Sequence, residues 1–101
     1  MQLSEFQKIL KEKVGVQDQR MGVQFLLNAL VEEVGELSRA LRKGTVDEVG
    51  EEICDIIFAV VSIASLVGID IEPLLKCKYV DRTLSEISRE WTDVAWKQPR
   101  T

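Results

Sequence analysis

The sequence predicts an all-α protein that folds as a four-helix antiparallel bundle in a single domain. Glycine and proline are sparse, with 6 and 2 residues among 101, and β-branched residues cluster only inside patterns with a helical period. Four such patterns follow one another with short links, and short links favour antiparallel neighbours. We expect the domain to span residues 1–101, with a core over about residues 20–92 and a frayed tail over residues 93–101.

The first two helices are predicted from apolar spacing and from residues that begin and end helices. The first runs from about Ser4 to Lys13, and Gly15 is expected to end it. The second runs from about Gln19 to Lys43, with Asp18 as its N-cap and Gly44 as its stop. Its apolar residues recur at intervals of three and four and predict one core-facing stripe. The stripe comprises Val23, Leu26, Leu27, Leu30, Val34, Leu37 and Leu41.

The third helix follows a capping box, Thr45-x-x-Glu48, and is expected to run to about Val67, where Gly68 ends it. From Ile53 onward it is apolar on nearly every side. We therefore expect it to be the most buried helix of the bundle.

The fourth helix is predicted to begin at an Asp70 cap and to extend to about Trp91. Three basic residues, Lys78, Arg82 and Arg89, share one face of this helix. Such a face suits phosphate oxygens, but it suits solvent equally well.

Composition excludes several classes of function. The chain has no histidine, so it has no Ser-His-Asp or Cys-His catalysis and no histidine-ligated zinc. Its 17 acidic residues outnumber 13 basic ones, which argues against a nucleic-acid-binding protein. General acid–base chemistry is therefore left to carboxylates, Lys, Tyr, Cys or metal-bound water.

The chain is expected to be cytoplasmic, without a membrane span. The two cysteines, Cys54 and Cys77, form no scaffold pattern, the N-terminus has no apolar signal core, and we expect both thiols to be reduced. The apolar run over residues 53–69 contains Asp55, which favours a buried core helix over a membrane span. Cys54 is interpreted as a packing residue.

Two acidic clusters carry the main chemical signal. Each contains a pair of acids three residues apart on a helix, so the two side chains of a pair converge. If the second and third helices are antiparallel, the pairs face each other, and Mg²⁺ or Mn²⁺ would remove their repulsion. The clusters are Glu32, Glu33 and Glu36 in VEEVGEL, and Glu51, Glu52 and Asp55 in EEICDI.

Glutamate-rich segments are usually solvated surfaces, so this metal-site hypothesis needs further support. Glu33 lies near the apolar stripe and is flanked by Ala29 and Ala40. Asp55 lies on the most apolar helix, where an ionised carboxylate requires a cation or several hydrogen-bond donors. The aromatic residues have the spacing of core residues more than of a base-stacking site: Phe25, Phe58, Tyr79, Trp91 and Trp96.

The segments EEVGEL at 32–37 and EEICD at 51–55 resemble the MazG-like nucleotide pyrophosphohydrolases, whose hallmark is E-x-x-E, a spacer, and then E-x-x-D. The resemblance covers about residues 20–90. It implies an all-α bundle that forms homodimers or homotetramers, with active sites near the interface. It also implies Mg²⁺-dependent hydrolysis of nucleoside triphosphates to the monophosphate and pyrophosphate.

The resemblance also assigns roles to residues. The metal-ligand positions match Glu33, Glu36, Glu52 and Asp55, with Glu32 and Glu51 beside them, and the basic positions match Lys78 and Arg82. Lys76 stands where the family often has Asn. In the expected mechanism, Glu36 or Glu32 accepts a proton from water, hydroxide attacks a phosphorus of the α–β link, and Lys78 and Arg82 balance the charge on pyrophosphate.

Alternatives remain open at this point. A non-catalytic bundle that dimerises and binds a protein partner would present the same acids on a solvated or partner-facing surface. The same fold also suits a phosphoribosyl metabolite as substrate, or a regulatory homologue that binds nucleotides without cleaving them. The sequence indicates no base preference.

Overall fold

A computed structural model describes residues 1–89 of the chain, and every regular element in that range is helical. The all-α class is therefore confirmed, whereas the predicted count of four helices is not. Three long helices and a series of short helical segments take their place. They are α1 (Leu3–Met21), α2 (Val23–Lys43), α3 (Val46–Leu66), α4 (Ile71–Leu75), a π-helical turn (Lys76–Val80) and α5 (Leu84–Ser88).

The chain divides into two compact units. The first comprises Met1–Ile71 and holds the three long helices, and the second begins at Glu72. Within the first unit, α2 packs mainly against α3, and α1 packs against α3 more than against α2.

A two-residue link folds α2 and α3 into an antiparallel hairpin. The Gly44 N–H donates to the Ala40 carbonyl oxygen over 2.8 Å and ends α2 where predicted. A Cβ atom at position 44 would lie 3.0 Å from the Ala40 Cα, so the tight path of the chain over the last turn of α2 favours glycine here. Thr45 then caps α3, because its Oγ1 accepts the Glu48 N–H over 3.2 Å, which is one of the two hydrogen bonds of the predicted capping box.

The first helix is much longer than predicted. Gly15 does not end α1 but lies inside it, since one glycine costs a helix only about 1 kcal/mol and α1 packs along α3. Asp18 is not the N-cap of α2 either; it lies in the last turns of α1, where its backbone oxygen accepts the Gly22 N–H over 2.8 Å. Gly22, with φ of 87° and ψ of 164°, separates the two helices in a conformation that almost only glycine adopts.

Gln7 ties the start of α1 to the end of α3. This side chain is buried; its amide nitrogen donates to Ser65 Oγ over 3.2 Å and to the Ile69 carbonyl oxygen. Its amide oxygen accepts the Ile71 N–H over 3.3 Å, so Gln7, and not the predicted Asp70, binds the first N–H of α4. Asp70 instead accepts a hydrogen bond from Ser4 Oγ.

The core of the first unit is small and built mainly from small side chains. The buried apolar residues are Leu26, Ala40, Ala59, Val61 and Ala64. The helix α3 supplies three of them and is the most buried helix, as predicted, and it ends at Leu66 just before Gly68. Of the predicted α2 stripe only Leu26 is buried, whereas Leu27 and Val34, for example, are 43% and 51% exposed.

The prediction of one continuous fourth helix is wrong, because the segment is broken into shorter helical pieces. α4 stops at Leu75, and the π-helical turn closes with an Asp81 N–H bond to the Lys76 carbonyl oxygen. Thr83 then begins α5 with a complete capping box, in which Glu86 accepts the Thr83 N–H and Thr83 Oγ1 accepts the Glu86 N–H. These hydrogen bonds from Thr83 lower the pKa of Glu86. The predicted end at Trp91 and the tail over 93–101 lie outside the described residues.

The structure also bears on the predictions about the cysteines and about a membrane span. Both cysteines are free, but Cys54 is exposed and does not pack as predicted. Among residues 1–89, no single helix is both long and apolar enough to cross a membrane, although α3 and the segment Ile71–Val80 together meet that test as a bent pair.

Two glycine substitutions should change stability in opposite directions. Gly22→Ala should lower the free energy of unfolding by about 1–3 kcal/mol, because alanine avoids the backbone conformation of Gly22. Gly50→Ala should raise it by about 0.5–1 kcal/mol, because Gly50 lies inside α3 with open space beside it. Urea unfolding of both variants measures these changes, and equal effects would contradict the assigned role of Gly22.

Candidate metal centre

Three carboxylates converge where α2 and α3 face each other. Glu33 projects from α2, Glu52 and Asp55 project from α3, and one oxygen of each lies within 4.8 Å of the others. The antiparallel hairpin produces this meeting, as the spacing of the two acidic pairs predicts. The structure therefore brings together three of the four expected ligands.

The three acids differ in burial. Glu33 and Glu52 are half-buried, whereas Asp55 is exposed. The sequence argument that Asp55 is embedded in an apolar helix is therefore wrong. Its apolar neighbours on α3 are themselves accessible, with Ile53 and Ile57 43% and 44% exposed. The case for a cation consequently depends on Glu33 and Glu52.

Glu52 shows the electrostatic cost of this cluster. Its Oε2 atom is buried and has no hydrogen-bond partner in the described part of the chain. The pKa of Glu52 is raised from 4.5 to about 7, first by a side-chain hydrogen bond with Glu33 and then by burial. The negative charges of Glu33, Asp55 and Glu36 raise this pKa further. The cluster therefore favours a proton or a cation near neutral pH.

The donor set fits a hard divalent cation. All three groups offer carboxylate oxygen, which Mg²⁺ and Mn²⁺ prefer over nitrogen or sulfur. Within residues 1–89 the buried Glu52 Oε2 is an acceptor without a partner, and a cation would satisfy it. Glu33, Glu52 and Asp55 are the residues that would hold the ion, leaving further positions for water or phosphate oxygens.

Glu36 and its neighbours lie beside this centre. Glu36 is not one of the three convergent acids, but it lines a cavity of about 350 Å³ together with Glu51 and Glu52. Glu32 is exposed on α2 and belongs to neither group. The assignments of Glu36 as metal ligand and of Glu36 or Glu32 as proton acceptor stay predictions.

Sequence reasoning missed two basic residues near the site. Arg39 and Lys43 line the same cavity as Glu36, and neither forms an ion pair within the described residues. Arg39 and Lys43 lie three and seven residues after Glu36, so all three share one face of α2. This spacing is the sequence feature that predicts their proximity.

A cleft of about 520 Å³ extends from the acidic centre along α1, and Glu33 and Asp55 form part of its wall. Phe25 and Phe58 line it and are 49% and 39% exposed, so the prediction that they are core residues is wrong. The remaining lining residues are Val14, Gln17, Asp18, Met21, Leu26, Ala29 and Ala59.

The predicted substrate-binding residues lie in the second unit. Lys78 Nζ is 5.5 Å from the centroid of the Tyr79 ring, and Arg82 Nη2 donates to the Glu86 carbonyl oxygen over 2.6 Å. The π-helical turn and the following bend interrupt the helical face that Lys78 and Arg82 were expected to share. Lys76, which stands where the family often has Asn, pairs with Asp81 over 2.9 Å.

A protein-family model matches most of the described part of the chain. The family model described as the MazG nucleotide pyrophosphohydrolase domain matches residues 21–83, which include α2, α3 and the three convergent acids. No curated protein matches the chain.

The raised pKa of Glu52 predicts a pH-dependent stability in the absence of metal. The folded state holds the proton more tightly than the unfolded state, so this contribution to stability is complete below pH 4.5 and is lost as the pH rises through about 7. The melting temperature in EDTA should therefore fall between about pH 5 and pH 8. Added Mg²⁺ should raise it more at pH 8 than at pH 5, because the ion competes with the proton.

Glu52→Gln should flatten the pH dependence and reduce the Mg²⁺ effect, whereas Glu12→Gln, an exposed site on α1, should leave both unchanged. Thermal melts across this pH range make the measurement. An unaltered Mg²⁺ effect in Glu52→Gln would contradict the assignment of the centre.

Proposed function

The chain belongs to the MazG nucleotide pyrophosphohydrolase family, and we propose that it hydrolyses nucleoside triphosphates at the α–β phosphate link in a Mg²⁺-dependent reaction. The products are the nucleoside monophosphate and pyrophosphate, which makes the protein a hydrolase acting on acid anhydrides. The observation that carries this proposal is the convergence of Glu33, Glu52 and Asp55 within 4.8 Å on the matched hairpin.

The three acids bind the ion and fix its place relative to the nucleotide. When bound, Mg²⁺ supplies positive charge to phosphate oxygens and makes the attacking water more acidic, and Mn²⁺ is expected to substitute for it. Glu33 and Glu52 are half-buried and hold their carboxylates against the hairpin, whereas the exposed Asp55 leaves one side open to substrate.

A carboxylate outside the three ligands accepts the proton from water. Glu36 suits this role better than Glu32, because it lines a cavity with Glu52, whereas Glu32 lines none of the described cavities. A general base within reach of the attacking water contributes about 10²–10⁴-fold to the rate. Glu36 as a fourth metal ligand remains the alternative role.

Basic side chains balance the charge that develops on pyrophosphate. We assign this role to Lys78 and Arg82, supplied by the same or a partner subunit, and Arg39 and Lys43 are additional candidates because they line the cavity beside Glu36. The chain carries no P-loop signature, so metal and side chains must hold the phosphates.

We further propose that the protein acts as a homodimer or homotetramer. Several large apolar residues on α2 and α3 are more than 40% exposed within one chain, and exposed apolar surface of this extent is typical of an interface. They are Val23, Leu27, Val31, Val34, Leu41, Ile53, Ile57 and Val60.

Substitution of single acids tests the proposed reaction. Glu36→Gln and Asp55→Asn should each reduce pyrophosphate release from a panel of nucleoside triphosphates by at least about a hundredfold, because each removes a charge from the reacting centre. Glu12→Gln and Asp47→Asn are matched controls at exposed positions on α1 and α3 and should retain activity.

Circular dichroism should show that the variants remain folded. Turnover near the wild-type rate in Asp55→Asn would overturn the assigned centre. Release of pyrophosphate only from phosphoribosyl compounds in the same panel would keep the centre and replace the substrate class.

A further inference from the structure

We propose that the cleft beside the acidic centre binds the nucleobase of the substrate and that Asp18 selects guanine there, by accepting hydrogen bonds from its N1–H and 2-amino groups. This inference rests on the proposed function for the place of the phosphates. It adds the substrate class and a specificity residue on α1 that the acidic motifs do not include.

The position and size of the cleft suit a nucleoside. Its volume of about 520 Å³ lies within the range of small-molecule sites. Glu33 and Asp55 line it, so a nucleotide with its phosphates at the acidic centre would extend its base along the same wall. The cleft and the centre belong to the same compact unit.

Two aromatic rings offer surfaces on which a base could stack. Phe25 on α2 and Phe58 on α3 line the cleft with about half and two-fifths of their surface exposed, 49% and 39%. Neither ring contacts another aromatic ring within residues 1–89. Stacking on such a ring contributes about 1–3 kcal/mol per base and favours no particular base.

Asp18 provides the selective group. It is only 9% exposed, and within residues 1–89 its carboxylate has no hydrogen bond or ion pair. The Asp18 carboxylate therefore keeps its capacity to accept hydrogen bonds, and a ligand in the cleft that Asp18 lines can supply the donors. Its negative charge also repels phosphate, which directs the phosphates toward the metal centre at Glu33 and Asp55.

Guanine matches a carboxylate better than the other standard bases do. Its N1–H and 2-amino group are adjacent donors that two carboxylate oxygens can accept together. Adenine and cytosine place an acceptor beside their amino group, and uracil and thymine place their single N–H between two carbonyl acceptors. The Gln17 amide also lines the cleft and can donate to the guanine O6.

The experiment compares GTP with ITP, which differs from GTP only in lacking the 2-amino group. The wild-type kcat/KM should favour GTP by about tenfold to a hundredfold, the effect of one hydrogen bond to a charged group. Asp18→Asn should bring the ratio close to one mainly by lowering kcat/KM for GTP. Asp47→Asn, an exposed control on α3, should keep the wild-type ratio.

A second readout uses neither metal nor hydrolysis. Titration calorimetry in EDTA should show that guanosine binds more tightly than inosine to the wild-type protein and equally to Asp18→Asn. Phe25→Leu, at a half-exposed position that is safe for folding, should weaken both nucleosides alike because stacking ignores the 2-amino group.

The outcomes separate the two proposals. Guanosine selectivity without hydrolysis of any triphosphate would support the cleft assignment and overturn the proposed function. Hydrolysis with equal kcat/KM for GTP and ITP, or an unchanged preference in Asp18→Asn, would overturn the assignment of Asp18 and leave the proposed function standing. Failure of guanosine to bind the wild-type protein would overturn the base site.

Discussion

Repulsion between acids across one helical hairpin is the constraint on which the functional interpretation depends. Folding α2 onto α3 forces Glu33, Glu52 and Asp55 within 4.8 Å of one another, where like charges oppose folding. The raised pKa of Glu52 is one consequence of this crowding. Another is its Oε2 atom, which has no hydrogen-bond partner in the part of the chain that the structure describes. A structure that only needed to be stable would place these acids apart, so their convergence favours a site that binds positive charge.

Local chemistry made the hairpin predictable. The Thr45 cap, the stop at Gly44 and the spacing of two acid pairs are short-range signals, and together they predict the acidic centre from the sequence. The end of α1 was not predictable in this way. Gly15 is of a residue type that often ends helices, but α1 continues through it while packing against α3. The helix ends instead just before Gly22, whose backbone conformation the sequence does not reveal.

Tertiary burial limited the remaining predictions. Apolar residues all around α3 suggested that Asp55 would be buried, yet Ile53 and Ile57 are themselves accessible, so local apolarity did not measure burial. Phe25 and Phe58 have core spacing but line a cleft, because the buried core is filled mainly by small side chains such as Ala59 and Ala64. The Thr83-x-x-Glu86 box that begins α5 was readable, but continuous periodicity through the preceding π-helical turn obscured it.

The link at Gly44 also determines how the spacer between the two acidic motifs can vary in length among related chains. Glu33 and Asp55 each lie 11 residues from Gly44, and Glu36 and Glu52 each lie 8 residues from it. One residue inserted within either helix would turn its acids by about 100° and shift them by about 1.5 Å, which would break their opposition. Insertions and deletions that preserve the centre are therefore confined to the bend, or they add or remove matched whole turns in both α2 and α3. The length of the spacer between the motifs is consequently a poor guide to whether a relative retains the site.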